Sequence, residues 1–153
     1  MVAKITIELP GRPQGKERPR LGRHGKVYTP VATKSYEVDL AWAANIAMKG
    51  QKPLWGPLRV TVTAFIAIPE SYKREDRRRA LAGELWPRTD TDNYAKAALD
   101  ALNGIAYLDD SQVVDLRARK AYAVEPLTRI EIEPLGLVSE KSSGKESDLV
   151  LAK

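Results

Sequence analysis

Asp90, Asp92, Lys96 and the pair Asp109-Asp110 are the residues of this chain best suited to chemistry. Two carboxylates stand one residue apart, a lysine follows four positions after the second, and more acid returns after a short gap. Carboxylates drawn together repel. A pair of like charges about 4 Å apart costs roughly 4 kcal/mol at a surface-like effective dielectric of about 20. Unless one is protonated, a cation must offset that repulsion. The chain has no Cys and one His, so the ligands on offer are oxygen atoms. Oxygen donors point to Mg²⁺ or Mn²⁺ rather than to zinc.

The elements that would position these groups can be read around them. Asp92 is a good N-cap, and Asn93 to Asn103 holds no Pro or Gly to interrupt a helix. Lys96 then lies one turn above Asp92 on the same face. Gly104 is the natural stop. Asp109 and Asp110 rejoin the neighbourhood if the chain folds back along that helix. Adjacent positions in an extended segment point to opposite sides, so these two do not serve one ion equally. Asp100, two turns above Asp92, reads as structural, binding the turn at Asn103-Gly104. Asp115 reads as a strand residue paired with Arg117 or Arg119. The bland alternatives are a helix cap for Asp92, a turn residue for Asp90 and a solvated side chain for Lys96. His24, in a glycine-rich loop, is assigned no role.

With 153 residues one domain is expected, large enough to bury a core without disulfide staples. The absence of Cys excludes a disulfide framework and a thiolate metal site. Met1 to Ile5 begins no long apolar run, so neither a leader nor a membrane span is expected, and the cytoplasm is the default. The net charge of +5 understates the local fields. Arg12, Lys16, Arg18, Arg20, Arg23 and Lys26 face one acid, Glu17, in the first basic run. Lys73, Arg74, Arg77, Arg78 and Arg79 form the second. A basic surface around a compact acidic centre suits a polyanion gripped broadly and attacked at one point. Lys16, Arg18 and Arg20, with Lys73 and Arg74, are the expected contacts to a DNA backbone. Arginines offer a bidentate fork and the neighbouring glycines let the chain approach a phosphate. Solvated basic faces are the plain alternative.

Lys4 to Leu9 alternates as a half-buried strand. Pro10 to Pro30 is a long basic loop, of a length that is usually functional or disordered. Thr33 to Met48 reads as a helix, with Tyr36, Leu40, Ala43 and Ala47 flanked by Val38, Trp42 and Ile46 on a broad apolar face, and with Trp42 in the core. Leu58 to Ile68 reads as a central strand. Ser71 to Leu81 reads as a short basic helix, and Trp86-Pro87 leads extended chain toward Asp90. Val113 to Val124 and Leu127 to Glu133 read as strands forming a hairpin through Glu125-Pro126. From Gly136 to Lys153 the composition predicts a disordered tail after a domain of residues 1–135. The expected fold is α+β, a single domain with a mixed sheet of about four strands and helices on one face. Were the chain to dimerise, the sequence leaves the seam open among the edge of the Leu58–Ile68 strand, the helix bearing Trp42, and both together.

Asp90-x-Asp92-Asn93-x-x-Lys96, then Asp100-Ala101-Leu102-Asn103-Gly104 and Asp109-Asp110-x-Gln112-Val113, resembles the signature of RusA-type Holliday junction resolvases. Gly15-Lys16-x-Arg18-Pro19-Arg20 and Tyr28-Thr29-Pro30 resemble the N-terminal loop of the phage-borne branch. The likeness spans Ile5 to Ile132 and combines order, spacing and identity over separate stretches. It implies a RusA-like fold and a homodimeric, Mg²⁺-dependent endonuclease that cuts four-way DNA junctions by symmetric paired nicks, in recombination and repair. Carried over by position, the catalytic and metal-holding carboxylates are Asp90, Asp92 and Asp110, and the essential lysine is Lys96. The family often has Lys-Pro before its first acid. Here Arg88-Thr89 keeps the positive charge and loses the rigid ring.

Two other readings compete. One is a non-catalytic DNA-binding module whose acids are structural or hold a stabilising ion. The other is a metal-dependent phosphatase of small substrates, for which the extensive cationic surface has no use.

Overall fold

The computed structural model describes residues 4–28 and 30–136. Beyond Gly136 itself, the expected tail lies outside the described residues. Four strands form one mixed sheet in the order β1-β6-β4-β5. They are β1 (Ile5–Pro10), β4 (Leu58–Ala67), β5 (Val113–Ala123) and β6 (Leu127–Pro134). β6 runs antiparallel to both β1 and β4, whereas β5 runs parallel to β4. The long basic loop carries a small ribbon of β2 (Arg20–Leu21) against β3 (Val27–Tyr28). The helices are α1 (Val31–Met48), α2 (Arg74–Leu81) and α3 (Thr91–Leu102), and a 3-10 turn at Asp110–Gln112 precedes β5. The α+β architecture and the mixed four-stranded sheet are those expected from the sequence.

The expected hairpin of the last two strands does not form. β4 lies between β5 and β6, and each pairs with it instead. Local turn chemistry at Glu125-Pro126 was a poor guide, because the β-branched β4, with Leu58, Val60, Val62 and Ala64 fully buried, offers both strands a better partner than they offer each other. β4 is therefore interior, as its composition predicts, and it presents no edge for a dimer. The free edges are β1 and β5.

Alternation along the strands divides the sheet into two faces. Leu58, Val60, Val62 and Ala64 of β4, Ile130 and Ile132 of β6, and Ile5 and Ile7 of β1 are buried. α1 covers β1 and packs on α3, and α3 lies over β4 and β5. The opposite face carries ion pairs: Lys4 with Glu131, Glu8 with Arg129, and Arg59 with Asp115 and Glu133. Asp115 also meets Arg117, which is the structural role expected of it. Burying a Leu, Ile or Val side chain is worth about 1.5–3 kcal/mol, so the helix-bearing face holds the fold.

α1 buries Thr33, Tyr36, Leu40, Ala44 and Met48, an i, i+4 stripe. Trp42 is not in the core; it is 66% exposed, beside Val38 and Ile46 on the outer face. The apolar band on α1 is wider than the sheet and α3 can cover, so its far edge faces outward. On α3 the buried Ala97, Ala98 and Ala101 let the helix lie close, with Tyr94 and Leu102 filling the ends.

Candidate functional site

The crossover from β4 to β5 carries α2, α3 and the acids Asp90, Asp92, Asp100, Asp109 and Asp110. At the start of α3 it meets the basic loop. Gln14 to Arg20 and Arg88 to Lys96 line one cleft of about 860 Å³, which contains Lys16, Arg18, Arg20, Arg88, Asp90, Asp92 and Lys96. The loop is pinned to the helix. The Lys16 amide donates to the Asn93 carbonyl at 2.9 Å, and a Cβ at Gly15 would stand 3.2 Å from the Cβ of Asn93. Glycine at that position is what permits the approach.

Asp90, not Asp92, is the N-cap of α3, and its carboxylate makes no capping hydrogen bond. The helix begins at Thr91, so Asp92 sits in its first turn. Neither carboxylate is consumed as a cap. Both are exposed at the mouth of the cleft, where the helix dipole favours negative charge. Lys96 Nζ lies 3.7 Å from Asp92, on side chains 63% and 71% exposed. An exposed pair at this spacing is worth about 0.3–0.5 kcal/mol, so each partner remains free to meet a ligand. Thr89, where the family often has proline, is held on two sides. Its hydroxyl hydrogen-bonds Tyr94 at 2.7 Å, and its carbonyl accepts from Lys120 Nζ. These contacts restrain the residue before Asp90 in place of the ring.

The basic residues divide by partner. Lys16 Nζ reaches Glu37 at 2.7 Å and Asp100 at 3.0 Å. The hydrogen bond that its ammonium donates to Glu37 holds its pKa above the ordinary lysine value, against the opposing effect of burial. Lys16 therefore clamps the loop onto α1 and α3, and Asp100 serves that clamp rather than the turn at Asn103-Gly104. Arg20 pairs with Glu17 at 3.0 Å, while Arg18 has no carboxylate partner among the described residues. Arg88 lies over the Trp86 ring, 5.0 Å from its centroid. On α2, Arg78 and Arg79 are engaged by Glu75, Asp76 and Glu84, whereas Lys73 and Arg74 make no ion pair among the described residues. Lys73 and Arg74 do not line the cleft.

The second acidic pair is built differently. The Asp109 side chain accepts from the Ser111 amide at 3.0 Å; hydrogen bonding with the Ser111 side chain, and then with its amide, holds the Asp109 pKa below the usual carboxylate value. Gln112 accepts from the Leu108 and Asp109 amides at 2.8 and 3.1 Å and donates to the Leu54 and Gly56 carbonyls at 2.9 and 3.0 Å. Its amide thus uses both donors and both lone pairs to fasten the turn. Asp109 is a cap, and Asp110 is exposed with no such bond. Tyr107 is buried beneath the turn and donates to the Leu99 carbonyl at 2.8 Å. Burial raises its phenol pKa, and the charges of Asp110, Asp100 and Asp109 raise it further.

Among the described residues, no three His, Cys, Asp or Glu side chains form a group able to hold a metal ion. Asp90 and Asp92 line the cleft and Asp110 does not. The donor type suits a hard divalent cation, but the expected trio is not assembled within one chain. The fastening role of Gln112, which was read only as part of a motif, and that of Glu37 were missed in the sequence. Asp109 and Gln112 stand at capping-box spacing, which was a legible signal. Glu37 carries none, since its partner lies in a loop without periodicity.

Residues 10–133 match the endodeoxyribonuclease RusA family. The chain belongs to this family. It is also 36% identical over 135 residues to the uncharacterized protein YqaN of Bacillus subtilis (strain 168), a match covering 84% of this chain and 93% of that protein. The family match spans the basic loop, the Asp90–Lys96 stretch and the Asp110 turn together. An acid-bearing cleft beside a basic loop is an arrangement suited to hydrolysing a phosphodiester within a polyanion.

Proposed function

We propose that the chain is a Mg²⁺-dependent, structure-selective endodeoxyribonuclease that resolves four-way DNA junctions by paired symmetric nicks, acting in the cytoplasm in recombination and repair. The observation that carries this reading is one cleft that holds Asp90, Asp92 and Lys96 opposite Arg18 and Arg20. Mn²⁺ would substitute for Mg²⁺, since both accept an all-oxygen donor set. Asp90 and Asp92, with Asp110, would supply the carboxylates. When bound, the ion lowers the pKa of a water and offsets charge developing on the scissile phosphate.

The chain's own residues do the rest. Arg18, Arg20 and Arg88 line the approach and offer planar donors to phosphate oxygens. Lys73 and Arg74 extend the basic surface beyond the cleft. Lys96, one turn above Asp92, places an ammonium beside the same cleft. It stabilises negative charge on the phosphate during displacement, a contribution of about 10²–10³ in rate. A homodimer fits the two-fold symmetry of a junction, because two nicks require two sites at fixed separation. Among the described residues no helix is long and apolar enough to cross a membrane.

The test incubates the protein with a synthetic four-way junction, a linear duplex and a nucleotide monophosphate, each with Mg²⁺ or EDTA. Paired nicks in the junction alone, abolished by EDTA and by Asp92→Asn with binding retained, support the proposal. Junction binding without nicks supports a binding module instead. Wild-type cleavage by Asp92→Asn removes the assignment.

A further inference from the structure

Among the described residues, Trp55 is the most exposed large apolar side chain, at 84%. The backbone that carries it is nevertheless fixed on both sides. Leu54 is buried, and its amide donates to the Ala106 carbonyl at 2.8 Å. The Gln112 side chain donates to the Leu54 and Gly56 carbonyls, which flank the tryptophan. Pro53 and Pro57 restrict φ nearby, and the Pro57 carbonyl accepts from the Leu135 amide at 2.9 Å. A ring left in solvent on a fixed loop can meet a partner at little entropic cost.

Position and charge identify the partner. Gln112 also accepts from the Leu108 and Asp109 amides, so one side chain fastens the Trp55 loop to the turn that presents Asp110. Asp110 is one of the carboxylates that the proposed nuclease draws on. Trp55 therefore stands beside the DNA wherever Asp110 does. No Asp or Glu lies between Asp39 and Glu70. Of the three cations in that span, Arg59 is engaged by Asp115 and Glu133, whereas Lys49 and Lys52 are exposed and make no ion pair among the described residues. An aromatic ring on a loop with unpaired cations suits a nucleic acid, whose bases stack on the ring while the cations meet its backbone.

The shape of the DNA decides where such a ring can act. In a linear duplex every base is sandwiched by its neighbours, and an inserted side chain must force two base pairs apart. At a four-way branch point the stacking of the arms is interrupted, and base faces are open without that cost. We propose that Trp55 stacks on an open base face at the branch point, with Lys49 and Lys52 on the adjoining phosphates, and that this contact makes the chain prefer junctions to duplex. This rests on the nuclease reading and adds to it a residue that determines structure selectivity. The other two tryptophans are placed differently: Trp86 already has the Arg88 guanidinium over its ring, and Trp42 lies on the outer face of α1.

The chain holds three tryptophans, so Trp42→Phe with Trp86→Phe leaves Trp55 as the sole fluorescent reporter. In EDTA, which withholds the divalent ion, a four-way junction is expected to quench its emission and a linear duplex of the same sequence to leave it unchanged. Trp55→Ala should bind the junction about five- to a hundredfold more weakly and the duplex as before. Trp55→Phe should restore most of that difference, and Trp42→Ala should show none of it. The denaturation midpoint of Trp55→Ala should not move, as befits a ring in solvent. Equal quenching by the duplex, or a Trp55→Ala protein that keeps the full preference for junctions, overturns the proposal. Loss of self-association in Trp55→Ala with the preference intact overturns it too, and assigns the ring to a protein contact. These are binding measurements, so the two failures are separate results. A wild-type protein that cuts no junction with Mg²⁺ removes the nuclease reading, while an unchanged junction-to-duplex ratio in Trp55→Ala removes the stacking contact.

Discussion

Lys16 and Arg18 lie two residues apart on one basic loop and are predicted to do different work. A cation that neutralises a phosphate releases a counterion, so its loss lowers the salt slope of DNA binding by about 1. Arg18 has no carboxylate partner among the described residues, whereas Lys16 is held by Glu37 and Asp100. Arg18→Ala should therefore weaken junction binding and reduce that slope. Lys16→Met should leave the slope unchanged and instead release residues 10–28 to faster amide exchange. Equal loss of slope in the two variants would return Lys16 to the DNA-contacting set. Gln112 makes a second residue-scale case. Gln112→Glu keeps the shape of the side chain but turns its two donors into acceptors facing the Leu54 and Gly56 carbonyls. Leaving such groups unmatched costs about 1–3 kcal/mol. The loss, measured by chemical denaturation, should be accompanied by weaker Mg²⁺ binding in calorimetry, since the turn presenting Asp110 loosens.

Among the elements, α1 separates what periodicity can and cannot reveal. Its stripe was legible in part: Tyr36 and Leu40 are buried as read, but the buried line continues through Ala44 and Met48, while Ala43 and Ala47 are only half-buried. Its width misled: Val38, Trp42 and Ile46 are apolar but lie outside the arc that the sheet and α3 cover. Leu40→Ala is expected to cost about 2–5 kcal/mol in the transfer and cavity terms, and Trp42→Gln to change the stability of the monomer by no more than about 0.5 kcal/mol. Denaturation of both variants checks this, and a large loss at Trp42 would mean that something covers that face. Strand identities were legible from β-branched alternation, while the pairing of β5 and β6 was not. Pairing is decided by long-range competition for the edges of β4, and a Glu-Pro turn reports only local geometry. The order of Asp90, Asp92 and Lys96 was readable for the same reason that the helix was. The clamp of Lys16 by Glu37 and Asp100 joins three separate segments and leaves no local pattern.

For the molecule as a whole, the direction of its pH response follows from a few groups. Tyr36 and Tyr107 are buried, and desolvation raises the pKa of each phenol above its ordinary value of about 10. A group whose pKa is raised on folding contributes stability that is fully present below its unfolded value. That stability is lost as pH climbs from the unfolded pKa toward the folded one, because the unfolded chain ionises first. Lys4 and Lys16, raised by Glu131 and Glu37, act in the same direction at still higher pH. At the acid limit the sign reverses. Asp109, held low by Ser111, and Asp115, held low by Arg59, contribute above about pH 4 and lose that contribution as pH falls further. Stability should thus be flat from about pH 5 to 9 and decline on both sides. The alkaline limb can be isolated. Tyr36→Phe with Tyr107→Phe removes both phenols, and with them the bonds to Thr128 and Leu99. The double variant should be less stable at pH 8 yet fall less steeply between pH 9 and 11, as measured by denaturant midpoints across that range. An unchanged slope would show that the alkaline loss comes from the lysine pairs, and that the buried phenols do not drive it.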